Sequence, residues 1–451
     1  MEDMKNGKRS SFSGKLGYVL AAAGASVGPY LAAKYGGGIF LIIYIVLALT
    51  FGYTMIVAET AIGRMTRKSP VGAFKSFGKK KWLSFGGWIN AVIPVLIVPY
   101  YSVIGGWVIK YLVEYFRGNA KLLAEDGYFT DFISNGVSTE LCFVAFCAFT
   151  LIIIFAGVQN GIERVSKIMM PILIVLSVII AVYSVTRPGA LAGVKYFLVP
   201  NVKNFSWMTV VSAMGQMFYS LSIAMGILIT FGSYMKKDTA IEDSTRNVEV
   251  FDTGIAIMAG LMIIPAVFAF SGGDPDTLQA GPSLMFITIP KVFQNMGFGT
   301  VIGIVFFLLV LFAAVTSSIA LTESAVSTFE DELGWGRKKA TVLVGVIMLV
   351  LGSLSSLGYG PLAGIKIIGM QFLDLFDFLT NSVMMPIAAL LTSLLVSRVV
   401  GIDKIEEEII HGESAFRRKK VFVVMIKYLC PVFAIIILLS SVANALGWIK
   451  M

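Results

Sequence analysis

Acidic side chains within apolar runs are the residues whose chemistry most needs an explanation. Glu59 ends one long apolar run, Asp252 begins another, and Glu323 lies well inside a third. A charged side chain near the centre of a bilayer costs roughly 2.5–3.5 kcal/mol on insertion scales, so each acid is expected to face a cavity, a partner or an ion. Glu59 has an alternative as a helix-end carboxylate paired with Arg64 or a backbone donor. For Asp252 the sequence favours a role with an ion or a proton.

Two of the apolar runs contain residues that weaken a helix. Residues 21–29 combine two glycines, a serine and a proline, and residues 220–226 place two serines and a glycine inside a long apolar stretch. Such breaks release backbone carbonyls that can coordinate a cation, although small residues also serve helix packing in membranes. Thr316 and Ser317 either bond back to their own helix or offer oxygens to a hard cation. These oxygen-rich runs contain no histidine or cysteine, which suits Na⁺ better than a transition metal.

The composition requires that these residues be positioned by membrane-spanning helices. Of the 451 residues 57% are hydrophobic and 14% charged, which excludes an ordinary soluble enzyme. The single histidine, His411, lies in a charged loop and supports neither a Ser-His-Asp triad nor a metal cage. The net charge of +9 resides in loops between apolar runs, so we expect a bilayer and not a nucleic acid as the partner. The cysteines lie in apolar runs and are predicted to be small packing residues: Cys142, Cys147 and Cys430.

An all-α polytopic membrane protein follows from the length of the apolar runs. A helix needs about 20 apolar residues to cross a bilayer, and about eleven runs meet that length. Lys and Arg in the connecting loops place the N-terminus in the cytoplasm and the C-terminus outside, in the plasma membrane. Of the two long outer loops, 114–139 is polar and 271–298 resembles a re-entrant or lid segment. The predicted spans are 16–35, 38–62, 86–113, 140–158, 164–186, 207–234, 249–270, 299–328, 339–358, 375–398 and 420–447.

The two breaks fall in the first and sixth spans, which open two successive groups of five. Corresponding breaks in two halves indicate a transporter binding site at the interface of the repeats. The sequence motifs support this interpretation because, in order along the chain, they resemble those of the neurotransmitter:sodium symporter family. They include residues 34–38 (KYGGG), 59–64 (ETAIGR), 157–167 (GVQNGIERVSK), 215–222 (GQMFYSLS), 316–320 (TSSIA), 374–378 (DLFDF) and the pair Tyr100 and Tyr101.

The resemblance implies the leucine-transporter fold, with five plus five inverted helices and unwound first and sixth helices. The first repeat would span 16–186, the second 207–398, and 420–447 would be an extra helix. The resemblance also implies two sodium sites. The first would use Ser26, Ser220 and Asp252. The second would use Gly24, Val27, Ala313, Thr316 and Ser317.

The same resemblance implies a mostly apolar pocket for a hydrophobic or aromatic amino acid. Tyr101 would hydrogen-bond the substrate carboxylate, Tyr219 would add a hydroxyl where the family usually has phenylalanine, and Ala224 would shrink the pocket in place of a glycine. The full set of implied pocket residues is Ala25, Ile97, Tyr101, Tyr219, Ser222, Ala224, Met225, Ser317 and Leu321. The implied gates use Arg9 with Asp331, supported by Ser233 and Tyr234, on the inner side and Asp377 on the outer side. Phe12 takes the position of a family tryptophan.

The first span departs from the family pattern. The family has Gly-Leu-Gly-Asn-x-Trp-Arg-Phe-Pro where this chain passes directly from Gly28 to Pro29, a loss of about seven residues or about 10 Å of helix. The absent residues would include an asparagine of the first sodium site, a glycine that meets the substrate and the arginine that pairs with Asp377. We therefore expect more damage to the first sodium site and the substrate site than to the second sodium site. A natural loss, an introduced deletion or residues skipped in the sequence would each produce this pattern.

Three functions remain open from the sequence. The leading hypothesis is a sodium-coupled amino-acid symporter, a monomer or weak homo-oligomer, that does not require chloride. Ala256 stands one turn beyond Asp252, where an acid or a serine is expected, and Asp252 can itself supply the compensating charge. The alternatives are a degenerate homologue that binds Na⁺ or an amino acid without transporting it, and a sodium leak around Asp377. An enzyme is the least supported, because no nucleophile–base pair, phosphate loop or metal cluster is visible.

Overall fold

The computed structural model describes residues 11–13, 15, 18–19, 36–272 and 282–445. These residues are mostly helical, and the β-structure among them is limited to two isolated bridges. Helices are compatible with a bilayer because each pairs its own backbone N–H and C=O groups internally. The predicted first span, residues 16–35, lies almost entirely outside the described residues, and so does the sequence around Gly28 and Pro29.

Within the described residues, nine helices are long and apolar enough to cross a membrane. They coincide with the predicted second to fifth and seventh to eleventh spans, and most extend further into the loops than predicted. We keep that numbering. Span 2 is Gly38–Thr66, span 3 Lys81–Phe116, span 4 Gly136–Phe155, span 5 Val158–Val185, span 7 Ile241–Ser271, span 8 Gly299–Leu333, span 9 Arg337–Leu357, span 10 Phe372–Val400 and span 11 Lys419–Asn444.

Span 6 is broken in the middle, as its serines and glycine predict. Its halves are Trp207–Ser220 and Ile227–Tyr234, and residues 221–226 between them are not helical. Ser222 and Ala224 adopt positive φ values of 54° and 57°. Because a Cβ atom disfavours this left-handed conformation, the break must be held by contacts outside the segment. Neither half is long enough to cross alone. The nine long helices and the broken span 6 therefore account for ten of the eleven predicted spans within the described residues.

The second half of span 6 packs directly against span 2. A Cβ atom built on Gly63 would lie 2.0 Å from the backbone oxygen of Ile229, and one on Gly232 would lie 2.4 Å from that of Thr60. Glycine is required at both positions because the two backbones touch. This contact fixes the position of the half-helix that follows the break relative to span 2.

The two long outer loops form short helices that meet each other. The first loop contains Ala120–Leu123 and Tyr128–Ser134. The second contains an apolar helix, Leu284–Gln294, after a stretch that is not described. Lys291 of this helix forms an ion pair with Asp126 of the first loop. The helix therefore lies against the first loop, and a re-entrant or lid role for it stays a prediction.

A loop helix, Ile402–Ile410, joins spans 10 and 11 and docks on the end of span 2. Arg64 is fully buried there, and its Nε donates to a carboxylate oxygen of Glu408 at 2.7 Å. Its other guanidinium nitrogens donate to the backbone oxygens of Thr239 and Glu408. The predicted alternative pairing of Arg64 with Glu59 is wrong, since Glu408 takes the arginine. The three cysteines are all free.

Candidate functional site

A buried carboxylate lies beside the break in span 6. Ser220 is the last residue of the first half-helix of span 6, Trp207–Ser220. Its hydroxyl donates to a carboxylate oxygen of Asp252 in span 7 at 2.7 Å. Tyr44 of span 2 donates to the other carboxylate oxygen, also at 2.7 Å. Asp252 is 1% exposed, and no Lys, Arg or His among the described residues forms an ion pair with it. Residues of three helices thus meet at a carboxylate whose side-chain partners, within the described part of the chain, are two hydroxyls.

This arrangement is suited to a hard monovalent cation. Its oxygen atoms are the ligand type that such ions prefer, and the carboxylate charge lacks a protein cation among the described residues. The structure brings together Ser220 and Asp252, two of the three residues expected at the first sodium site, while Ser26 lies outside the described residues. Tyr44 was not predicted. The available signal was a tyrosine inside an apolar span, which needs a hydrogen-bond partner.

The second expected sodium site is described only on its span 8 side. The hydroxyls of Thr316 and Ser317 both donate to the backbone oxygen of Ala313, at 2.9 and 3.0 Å. This is the intrahelical bonding that the sequence left open as the alternative to cation binding. The two residues expected on the other side, Gly24 and Val27, lie outside the described residues.

The expected pocket residues are contributed by spans 3, 6 and 8. Tyr101 of span 3 lies within hydrogen-bonding reach of Ser317 of span 8, which joins these two walls. Tyr219 is partly exposed, and Ala25 lies outside the described residues. The remaining expected residues are at most 9% exposed: Ile97, Tyr101, Ser222, Ala224, Met225, Ser317 and Leu321.

Glu59 holds the break in span 6 from the side. One of its carboxylate oxygens accepts a hydrogen bond from the backbone N–H of Ala224 at 2.7 Å. Glu59 is fully buried, and its second oxygen has no partner among the described residues. The carboxylate therefore satisfies a backbone donor that the helix break would leave unpaired. Of the alternatives for Glu59, the structure shows the backbone donor.

Glu323 belongs to an ion pair in the C-terminal part of span 8. Arg337 donates to both of its carboxylate oxygens, at 3.0 and 2.6 Å, and Tyr234 donates to one of them at 2.7 Å. Of the partners expected for a buried acid, Glu323 has a protein cation, whereas Asp252 has hydroxyl donors only among the described residues. This difference separates a structural carboxylate from a candidate ion ligand.

The expected inner gate is described without its arginine, because Arg9 lies outside the described residues. Asp331 accepts a hydrogen bond from the backbone N–H of Ser69 at 2.6 Å. Ser233 donates to the backbone oxygen of Thr230 at 2.5 Å, while Tyr234 bonds to Glu323 as above. Phe12 is 2% exposed and packs edge-on against the rings of Tyr18, Phe231 and Tyr234.

Two hydrogen bonds hold the segment at residues 11–13 in place, and neither was predicted from the sequence. The backbone N–H of Ser13 donates to Glu163 at 2.8 Å, and the Gln159 amide donates to the backbone oxygen of Ser11 at 2.8 Å. Glu163, the acceptor, and Gln159, the donor, both belong to the motif at residues 157–167. The motif therefore holds the segment that contains Phe12 against the start of span 5.

Asp377, expected at the outer gate, has neutral donors among the described residues. Tyr100 donates to its carboxylate at 3.2 Å, and the amide of Asn381 donates to the same oxygen. Tyr100 and Tyr101 thus face different partners. The first joins span 3 to span 10, and the second points to span 8.

Comparison with known proteins agrees with this geometry. The sequence matches the family model described as the sodium:neurotransmitter symporter family over residues 9–122 and 130–448. It is 33% identical over 450 residues to an uncharacterised sodium-dependent transporter of Bacillus subtilis, covering 97% of this chain and 99% of that protein. A human sodium- and chloride-dependent GABA transporter is 25% identical over 474 residues, covering 89% and 75% of the two chains. The crystal structure of MhsT in complex with L-phenylalanine superimposes with a TM-score of 0.86 at 33% identity, covering 96% of this chain and all of that one.

Proposed function

The chain belongs to the sodium:neurotransmitter symporter family, and on that premise we propose that it couples inward movement of Na⁺ to uptake of an amino acid by alternating access. Membership makes it a multi-pass membrane transporter of a sodium-dependent family and not an enzyme. The membrane potential contributes about 2.3 kcal/mol per charge per 100 mV, so each Na⁺ that enters adds driving force for the substrate.

The observation that carries this proposal is the convergence of Ser220, Asp252 and Tyr44 at the break in span 6. A binding site at such a break exposes backbone carbonyls and half-helix ends to ions and substrate near the middle of the membrane. In our proposal Na⁺ binds at Asp252. Contacts between the carboxylate and the ion then replace the hydrogen bonds that the carboxylate now accepts from the two hydroxyls. The hydroxyl oxygens of Ser220 and Tyr44 then turn their lone pairs towards the ion.

We assign the substrate to the class of hydrophobic or aromatic amino acids. Apolar side chains dominate the expected pocket, and the similar transporter MhsT was crystallised with L-phenylalanine. Tyr101 would orient the substrate carboxylate, and the second Na⁺ would bind at Ala313, Thr316 and Ser317. The repeats would span 16–186 and 207–398.

Orientation, chloride and assembly belong to the same proposal. Basic residues in the loops support a cytoplasmic N-terminus and an external C-terminus in the plasma membrane. Asp252 supplies the negative charge that chloride would otherwise add, so transport is proposed to be independent of chloride. The protein would act as a monomer or weak homo-oligomer.

Thermal stability of the purified protein tests the coupled site. A ligand that binds only the folded state raises the melting temperature as its concentration exceeds Kd. A panel of amino acids is tested in Na⁺ and again in K⁺, after the mass has been shown to match the 451 residues. Stabilisation by one amino acid in Na⁺ alone supports the proposal. No shift with any amino acid contradicts it.

A second candidate function is favoured by the direct passage from Gly28 to Pro29. A homologue that lacks part of the first helix would bind Na⁺ or an amino acid but fail to cycle. It predicts stabilisation by ligands without accumulation inside vesicles. A shortened first helix that fails to close around Asp377 would instead give a sodium current without substrate.

A further inference from the structure

We propose that Lys79, Lys80, Lys81 and Arg398 bind the headgroup of an anionic phospholipid at the start of span 3. This site is separate from the substrate and sodium sites and does not depend on the proposed transport function. It lies on the membrane face where span 3 begins and span 10 ends, which we expect to be the cytoplasmic one.

The three lysines are exposed and make no ion pair within the described part of the chain. Their neighbour Lys75 differs, because its ammonium lies 2.6 Å from a carboxylate oxygen of Glu332 and 5.8 Å from the ring centre of Trp88. Glu332 is thus already paired with Lys75. Three consecutive positive charges thus remain without a carboxylate partner among the described residues.

The position of the lysines in the helix adds to this positive potential. Lys80 is the N-cap residue of the helix Lys81–Phe116. No side chain caps the N-terminus of this helix, and the first turn of the helix contains no acidic residue. The unpaired N–H groups and the dipole of a helix favour anions at its N-terminus and disfavour cations. Placing lysines there is unfavourable for the chain alone and becomes favourable when a phosphate binds.

The surface below the lysines indicates a lipid and not a free anion. Lys81, Phe85 and Trp88 lie on one face of the helix at spacings of four and three residues. Phe85 is 56% exposed and Trp88 is 40% exposed. Tryptophan is enriched at the membrane interface, and an exposed phenylalanine beside it provides a surface for acyl chains. Headgroup and acyl-chain contacts therefore continue along the same face.

Arg398 of span 10 supplies a fourth cation at the same depth. A Cβ atom built on Gly86 would lie 3.4 Å from that of Leu391, so spans 3 and 10 touch at this level. The spans are antiparallel. Lys81, where the span 3 helix begins, lies five residues before Gly86, and Arg398 lies seven residues after Leu391, which corresponds to roughly 8 and 10 Å of helix. Arg398 is exposed and has no ion-pair partner in the portion of the chain that is described.

The start of span 9 provides a matched control on the same face of the membrane. Lys338 and Lys339 are also exposed lysines in the first turn of a spanning helix. There the adjacent Arg337 is neutralised by Glu323 and lies 3.8 Å from Glu330. Removing either lysine pair changes the net charge by the same amount.

The test compares K80Q/K81Q with K338Q/K339Q in the purified full-length protein. Dioleoyl-phosphatidylglycerol is titrated into protein held in zwitterionic detergent, and bound lipid is counted by native mass spectrometry and by thermal shift. We expect K80Q/K81Q to weaken lipid binding about thirtyfold, because each basic residue near an anionic surface contributes about 1 kcal/mol, or about fivefold. K338Q/K339Q is expected to bind lipid as the unchanged protein does.

An equal loss of lipid in both variants would overturn the site, since net charge alone would then explain binding. Stabilisation by inorganic phosphate that equals that by phosphatidylglycerol would overturn the assignment to a lipid. Melting temperatures without added lipid check that both variants fold. None of these measurements requires transport, so failure of this site and failure of the proposed function are distinguishable.

Discussion

Ser220 donates a hydrogen bond of 2.7 Å to Asp252, and this contact ties the end of a half-helix to a carboxylate buried in a neighbouring span. The bond places a negative charge beside backbone that is not helical. A carboxylate without a protein cation among the described residues is costly within a membrane unless a mobile cation binds it. The geometry thus places the break in span 6 beside a carboxylate whose charge the proposed Na⁺ would balance.

Removing the charge at Asp252 tests this connection. In D252N an amide replaces the carboxylate with almost unchanged volume, so the pocket keeps its shape but loses its attraction for Na⁺. Stabilisation of the protein by Na⁺ is expected to disappear. The control D403N removes an exposed acid of the loop helix and is expected to leave the response to Na⁺ unchanged. Equal Na⁺ responses in D252N and the unchanged protein would exclude Asp252 as a ligand.

The Tyr44 hydroxyl is expected to contribute to the same site. Y44F removes one of the two donors to Asp252, and with it an oxygen that can face the ion. The Na⁺ concentration for half-maximal stabilisation should rise about tenfold or more, as expected for one hydrogen bond to a charged group. A thermal-shift titration with NaCl at constant ionic strength measures this change. An unchanged midpoint would show that Tyr44 only packs beside the site.

Tyr101 is expected to act on the substrate and not on Na⁺. Y101F removes the hydroxyl proposed to bind the substrate carboxylate, which should weaken amino-acid binding about tenfold or more. The Na⁺ titration without substrate should be unchanged. Y428F, which alters a tyrosine 65% exposed on span 11, is the matched control. Equal substrate affinity in Y101F and Y428F would remove Tyr101 from the site.

The left-handed backbone at Ala224 predicts a stabilising substitution. In A224G the residue no longer has a Cβ atom that opposes a φ of 57°, so the folded state should gain about 1 kcal/mol. The pocket also gains the volume of a methyl group, which should shift preference towards larger aromatic amino acids. Melting temperature and competition between phenylalanine and tryptophan measure the two effects. A lower melting temperature would show that the alanine methyl packs favourably.

The buried pair between Arg64 and Glu408 predicts a large loss of stability. E408Q leaves the arginine buried without a counter-ion, and breaking such a pair typically costs about 3–5 kcal/mol. E332Q breaks a more exposed pair with Lys75 and should cost less than about 1 kcal/mol. Melting temperatures in detergent compare the two. Similar losses in both variants would mean that burial does not determine the strength of the pair at Arg64.

The spans were predictable because the bilayer forces about 20 apolar residues into each crossing. The break in span 6 was also predictable, since Ser222 and Gly226 weaken a helix. The partners of polar residues were less accessible, because they depend on how distant spans pack. Nothing in the sequence alone relates Arg64 to Glu408 or Tyr44 to Asp252, which lie 344 and 208 positions apart. The pairing of Ser220 with Asp252 was predicted only through the family resemblance.

Uptake into proteoliposomes tests the central claim most directly. Vesicles loaded with K⁺ are diluted into Na⁺ or K⁺ medium with labelled L-phenylalanine, and the internal label is followed over time. Our account predicts accumulation above the external concentration in Na⁺ and its collapse when Na⁺ is replaced. Label that binds to the protein in Na⁺ but never accumulates inside the vesicles would contradict sodium-coupled transport by this chain.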